Sequence, residues 1–214
     1  MKKRMIALLL ALIMVMTTLT GCVKIIKTGT EGEYTGKKTF SADENVESFW
    51  DSKAIPELTA NASDLKTLLE EANGNLKSVQ DKYKGSSLDK GASLTYTVKG
   101  TGKVTQVNTQ SKAGTMKIEL EGYSGSVDIE IQIGTVIKGS SVRDSLSFVK
   151  YGDYTNQTEY AQVNQSVNKK ILATVISPEK ANEYLDKTIT FIGCFAPGND
   201  NAKILITPVV ITVS

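Results

Sequence analysis

Between residues 94 and 133 apolar and polar side chains alternate in three successive runs, a period of two that admits a β-sheet and excludes an amphipathic helix. Leu94, Tyr96 and Val98 begin the first run, Gly100 and Gly102 interrupt it, and Val104 and Val107 resume it. Met116, Ile118 and Leu120 make the second run, and Val127, Ile129, Ile131 and Ile133 the third. Ser111-Lys112-Ala113-Gly114 and Gly122-Tyr123-Ser124-Gly125 separate them as turns. Glycine lacks the side chain that resists a bend, so the first strand is expected to bulge or turn sharply, or to take a positive φ, near Gly102. A strand bent in this way can serve two faces of one small barrel.

Helical spacing follows. Ser141-Val142-Arg143-Asp144 has the S-x-x-D pattern of a helix start, for a short helix running to about Val149. Residues 156–174 carry Tyr160, Val163, Val167 and Ile171 on one helical face, and Ser177-Pro178-Glu179 opens a brief further turn to Leu185. Two more alternating runs, 188–196 and 203–213, are joined by Pro197-Gly198-Asn199-Asp200-Asn201. Pro208 cannot donate to a ladder and is expected at an edge or a bulge. Three strands, a helix and two strands is the element order of an OB-fold, a five-stranded Greek-key barrel. The expected fold class is therefore α+β, mainly β: an OB-like barrel over 91–214, preceded by an N-terminal helical segment.

That segment spans 43–90. Val46, Phe49 and Trp50 recur at i, i+3 and i+4, and Pro56 is expected to separate this short helix from the next. Asn61 or Ser63 can cap the second helix, whose stripe is Leu65, Leu68, Leu69, Ala72, Leu76, Val79 and Tyr83. Trp50 can serve as a packing anchor or a ligand platform, and its place on a helix face favours packing.

The N-terminus carries an address. Lys2, Lys3 and Arg4 precede an apolar run from Met5 to Met16, and Leu19-Thr20-Gly21-Cys22 ends it. This is a secretory signal over 1–21 with a cysteine at the cleavage point. Such a thiol is diacylglycerated in bacteria, so Cys22 is the expected lipidation site and the anchor carries palmitate-type acyl chains. An uncleaved span is disfavoured, because the run of about a dozen residues falls short of the roughly 20 a membrane helix needs. Residues 22–42, with Gly, Thr and Lys and no sustained period, read as a tether. The expected location is the extracytoplasmic face of the cell membrane, the periplasmic side where an outer membrane exists.

Losing Lys2, Lys3 and Arg4 with the signal turns the formal charge from +2 to −1. A near-neutral domain has no field to gather nucleic acid, so no nucleic-acid partner is expected. The chain of 214 residues has no histidine and two cysteines. Ser-His-Asp and Cys-His machinery are thereby ruled out, and the commonest metal ligand is lacking. With Cys22 assigned to lipid, Cys194 is left unpaired in a strand-like run, where it reads as a small buried apolar side chain. No cofactor, metal or catalytic residue is expected, although carboxylate-only glycosidase chemistry stays open on composition. The sequons at Asn61, Asn156 and Asn164 are chance matches in a bacterial lipoprotein.

The stretch from Ile131 to Leu146, with Phe148, Tyr154-Thr155-Asn156-Gln157 and Glu159-Tyr160-Ala161, resembles a bacterial family of predicted periplasmic lipoproteins, domain of unknown function 2291. The resemblance extends to Trp50-Asp51-Ser52-Lys53, to Val98-Lys99-Gly100-Thr101-Gly102-Lys103-Val104 and to the segment ending in Cys22. Its members tend to be encoded beside sugar ABC-transporter components, which implies a role at carbohydrate uptake. The resemblance carries no ligand residues.

Two readings of the polar segment stay open. Arg143, Asp144, Asn156, Gln157, Glu159 and Tyr160 supply donors, acceptors and a ring that suit a hydroxyl-rich ligand or a partner. Alternatively, Asp144 and Asn156 cap helices and Arg143 pairs locally. The leading functional expectation is a non-enzymatic, membrane-tethered accessory or binding module of a sugar ABC transporter or its binding protein. The second is a direct binder of small sugars or oligosaccharides through the barrel face, and the third a carboxylate-dependent glycan enzyme.

Overall fold

The first long strand, β2 (Tyr96–Asn108), is shared between two neighbours, and this sharing closes the barrel. Its first half runs antiparallel to β5 (Thr188–Phe195), from Tyr96 opposite Phe195 to Lys103 opposite Thr188. Its second half pairs with β3 (Thr115–Leu120), from Gly102 opposite Leu120 to Asn108 opposite Thr115. β3 pairs antiparallel with β4 (Asp128–Gln132), β4 runs parallel to β6 (Lys203–Val213), and β6 pairs antiparallel with β5. The circuit β2-β3-β4-β6-β5-β2 is the closed five-stranded barrel expected from the element order. In this computed structural model residues 40–83, 94–198 and 201–214 are described. The signal, Cys22, nearly all of the 22–42 tether and residues 84–90 lie outside the described residues.

Alternation produces the core. Val98, Val104, Met116, Ile118, Ile129, Ile131, Ile189, Phe191, Ile204 and Ile206 are all buried, an even number of residues apart along their strands. Gly102 has no positive φ; only Gly74, Gly122 and Gly139 do among the described glycines. The need for glycine at this position is close approach, since a Cβ there would lie 2.6 Å from the Glu119 carbonyl oxygen. Pro208 sits at the register shift between β5 and β6, opposite Gly193, as its missing donor requires.

The helical layer departs from the expectation in three ways. First, α1 (Ala42–Phe49) and α2 (Ile55–Asn61) form one continuous run through a π turn, Trp50–Ala54. The wider π turn, closed by Ile55 N–H to the Trp50 carbonyl, accommodates the donorless Pro56 in the first turn of α2 without a break. Second, the expected single amphipathic helix is split. α3 (Leu65–Ala72) is capped by Asp64, not by Asn61 or Ser63, and ends at Asn73 with φ 43°. A separate 3₁₀ turn, Leu76–Val79, continues the buried stripe. Asn73 and Gly74 both adopt left-handed geometry, which terminates an α-helix. Third, a two-residue strand, β1 (Ser63–Asp64), adds in parallel to β2, with Ser63 opposite Val98.

Residues 41–214 make one compact unit, so the helices form a layer on the barrel. Trp50 is buried with Val46, Phe49, Leu58, Leu65, Leu68 and Leu76, and full burial of such side chains is worth about 1.5–3 kcal/mol each. α4 (Ser141–Asp144) is a single turn whose N-cap position falls one residue earlier than expected, at Ser140 in place of Ser141, and the helix stops before Val149. α5 (Gln157–Thr174) buries Val163, Val167 and Ile171 and lies against α1. Asp43 accepts from Ser166 at 2.6 Å and from Lys169 at 2.5 Å, and Glu47 accepts from Lys170 at 2.7 Å. A 3₁₀ turn at Pro178–Tyr184 leads into β5. No described helix is long and apolar enough to cross a membrane.

Candidate functional site

Three of the six polar residues singled out in the sequence converge. The Arg143 guanidinium lies 3.9 Å from the Tyr160 ring centroid and donates through Nε to Asp144 Oδ1 at 2.8 Å. Its Nη2 reaches the same oxygen at 2.6 Å, and its Nη1 donates to the Tyr160 carbonyl at 3.3 Å. Asp144 also accepts from the Tyr160 hydroxyl at 3.4 Å and from the Ser140 hydroxyl at 2.6 Å. Each member of the Arg143–Asp144 pair is 13 % exposed, so the pair is partly desolvated and its hydrogen bonds are stronger than those of a surface ion pair. Tyr151 and Tyr154 pack on Tyr160 at 5.5 and 5.6 Å, and Tyr154 donates to Asn45 in α1 at 3.2 Å. Burial is the main reason the Tyr154 phenol titrates above its ordinary range. Tyr151 remains 46 % exposed at the outer edge of this cluster.

The other three residues stand apart from that cluster. Asn156 is the N-cap of α5, its Oδ1 accepting from Glu159 N–H at 2.9 Å. Glu159 answers by accepting from Thr155 N–H at 2.9 Å, so the two side chains together satisfy the helix start. Gln157 is exposed, and its side chain holds no hydrogen bond among the described residues. Val142, Leu146, Val163 and Val167 are buried beneath the segment, as the helical spacing predicts.

A second constellation lies where the helical layer meets the barrel. A cleft of about 380 Å³ is lined by Glu57 and Asn61 from α2, Ser63 from β1, Lys82 and Tyr83 after the 3₁₀ turn, and Ser145 and Ser147 after α4. Glu57 accepts from Ser147 N–H at 2.7 Å and from the Ser147 hydroxyl at 3.1 Å, which ties α2 to the loop following α4. Lys82 is fixed by Glu71 at 2.5 Å, and this hydrogen bond raises the lysine pKa. The Ser145 hydroxyl, buried at the floor, contacts Thr95 Oγ1 at 3.0 Å and the Ser141 carbonyl at 2.7 Å. Behind it a buried polar thread continues through Ser141, Thr207 and Gln132, every step within 3.3 Å. None of the six residues singled out in the sequence lines this cleft.

Residues 12–212 match the family described as "Predicted periplasmic lipoprotein (DUF2291)". The chain belongs to that family. A crystal structure of an OB-fold protein from Thermotoga maritima is similar to it, with a TM-score of 0.63 and 14 % identity over 83 % of this chain and 100 % of that one. At that identity the likeness speaks to the fold alone. No curated protein matches the chain.

In this family member the sequence left the cleft unread. Glu57 and Ser147 look like ordinary surface polarity, and they lie 90 positions apart. Asn61 and Ser63 carried a weak signal, as possible helix caps; Asp64 takes that role instead, with Oδ1 accepting from Thr67 N–H at 2.8 Å. Among the described residues no group of three acidic, cysteine or histidine side chains is placed to hold a metal ion.

Proposed function

We propose that this predicted periplasmic lipoprotein is a membrane-tethered, non-enzymatic accessory module, anchored through acylated Cys22 and docking an extracytoplasmic partner through the face around Tyr151. The observation that carries the reading is the Arg143–Tyr160–Tyr151 cluster, with Tyr151 exposed at its outer edge. Arginine and tyrosine dominate the energetics of protein interfaces, and here they are held rigid before any partner arrives. Asp144 uses its oxygens on Arg143, Tyr160 and Ser140, which supports a positioning role for this carboxylate in place of proton transfer. The partner class is the one implied by the family resemblance, components of a sugar ABC transporter or their binding protein.

Capture of the full-length protein from detergent-solubilised membranes, with mass spectrometry of what accompanies it, tests the reading. Transporter components are expected with the natural chain and lost with Tyr151→Glu combined with Gln157→Glu, both changes at exposed positions, with a thermal melt to check that the fold is kept. Equal recovery from the double variant removes this face as the docking surface. Metabolic labelling with a fatty-acid analogue tests the anchor, and a labelled Cys22→Ser chain overturns it.

A further inference from the structure

We propose that the cleft between the helical layer and the barrel binds a small, neutral, polyhydroxylated molecule the size of one sugar ring. Its volume of about 380 Å³ lies at the low end of ligand cavities and is enough for a single ring. Its lining carries one anion, Glu57, and one cation, Lys82. A ligand of net charge would face a like charge on one side of the cleft, whereas an uncharged one meets no such penalty.

Hydrogen-bonding capacity narrows the class further. Glu57 is held in place by both Ser147 donors, and a carboxylate with about four acceptor positions keeps capacity for ligand hydroxyls. The side chains of Asn61 and Ser63 hold no hydrogen bond among the described residues, so the amide and hydroxyl are both available. Ser145 presents a hydroxyl fixed by its two buried contacts at the floor. Acceptors, donors and amphoteric hydroxyls are thus mixed around one space, and only a ligand whose groups both donate and accept satisfies them all. Tyr83 adds an aromatic ring for the C–H face of such a ring. The cleft is separate from the Tyr151 face, so docking there and binding here can fail independently.

Isothermal titration calorimetry on the full-length protein tests this, in a zwitterionic detergent without sugar headgroups. The probes are D-glucose, D-ribose and myo-inositol, with zwitterionic glycine and anionic inorganic phosphate as comparators that carry ionised groups. One of the neutral probes is expected to bind with 1:1 stoichiometry. Asn61→Ala should weaken it roughly tenfold and Glu57→Gln more, while Gln165→Ala on the exposed face of α5 leaves it unchanged. Thermal melts accompany each variant; if Glu57→Gln unfolds, Asn61→Ala decides, because that exposed side chain holds no hydrogen bond among the described residues. Absence of binding by all three neutral probes overturns the assignment. So does tighter binding of glycine or phosphate, or full affinity in Asn61→Ala.

Discussion

Gly102 lies so close to the Glu119 carbonyl across the β2–β3 pair that a Cβ on Gly102 would stand 2.6 Å from that oxygen. Backbone cannot move aside as a flexible side chain can. Gly102→Val is therefore expected to destabilise the domain by about 1–3 kcal/mol, read as a lower urea midpoint at unchanged slope. Gly100→Ala should be milder, because its new methyl would meet Leu120 and Phe191 side-chain atoms, which can shift. Equal stability of Gly102→Val and the natural chain would show that the strand does not cross its neighbour this closely.

Asn156 and Gln157 are adjacent, yet they should respond differently. Asn156→Ala removes the cap of α5 and is expected to cost about 1 kcal/mol. Gln157→Ala, at an exposed position, should stay within about 0.5 kcal/mol. Urea denaturation of the two single variants and the double one checks this; a double variant no worse than Gln157→Ala would remove the cap.

Acid should weaken the start of α3. The Asp64 carboxyl is held below its ordinary pKa, chiefly by the Thr67 backbone donor and then by the Thr67 hydroxyl at 2.7 Å. Because the folded pKa is depressed, this contribution is complete above an unfolded pKa of about 3.9 and is lost as pH falls through the folded value. The melting-temperature gap between the natural chain and Asp64→Ser, which caps without titrating, should narrow from pH 5 toward about pH 2. A constant gap contradicts the charged cap.

Cys194 is fully buried, and burial pushes its thiol up to about 11. Iodoacetamide at pH 8 should leave it unmodified in the folded protein and alkylate it in urea. Since the folded pKa exceeds an unfolded value of about 8.5, stability should decline between about pH 8.5 and 11, and Cys194→Ala should flatten that decline. Rapid labelling of the native chain would contradict the buried position.

The strands were legible in the sequence because alternation is a local record of which side each residue faces. Met116, Ile118 and Leu120, or Ile129 and Ile131, announce their burial without reference to any partner. The long helix was equally legible in Tyr160, Val163, Val167 and Ile171, with Asn156 already one of its two candidate roles. Pro56 misled, because a proline's effect depends on the turn around it, and a π turn absorbed what an α turn would not. The Leu65-to-Tyr83 stripe misled at Asn73, whose left-handed φ ends the helix while the apolar residues beyond it stay buried.

By itself, then, the sequence determined the period of each element and the order that closes a five-stranded barrel. It also set the chemistry withheld by a chain without histidine. Tertiary structure alone decided which polar groups meet. Arg143 and Asp144 are neighbours in the chain, but their stack on Tyr160 arises only when α5 packs beside α4. Glu57 reaches Ser147 only once α2 lies against the loop following α4. Hydrophobic burial follows a local period, whereas a polar site is a coincidence of distant segments in space, and no spacing along the chain encodes it.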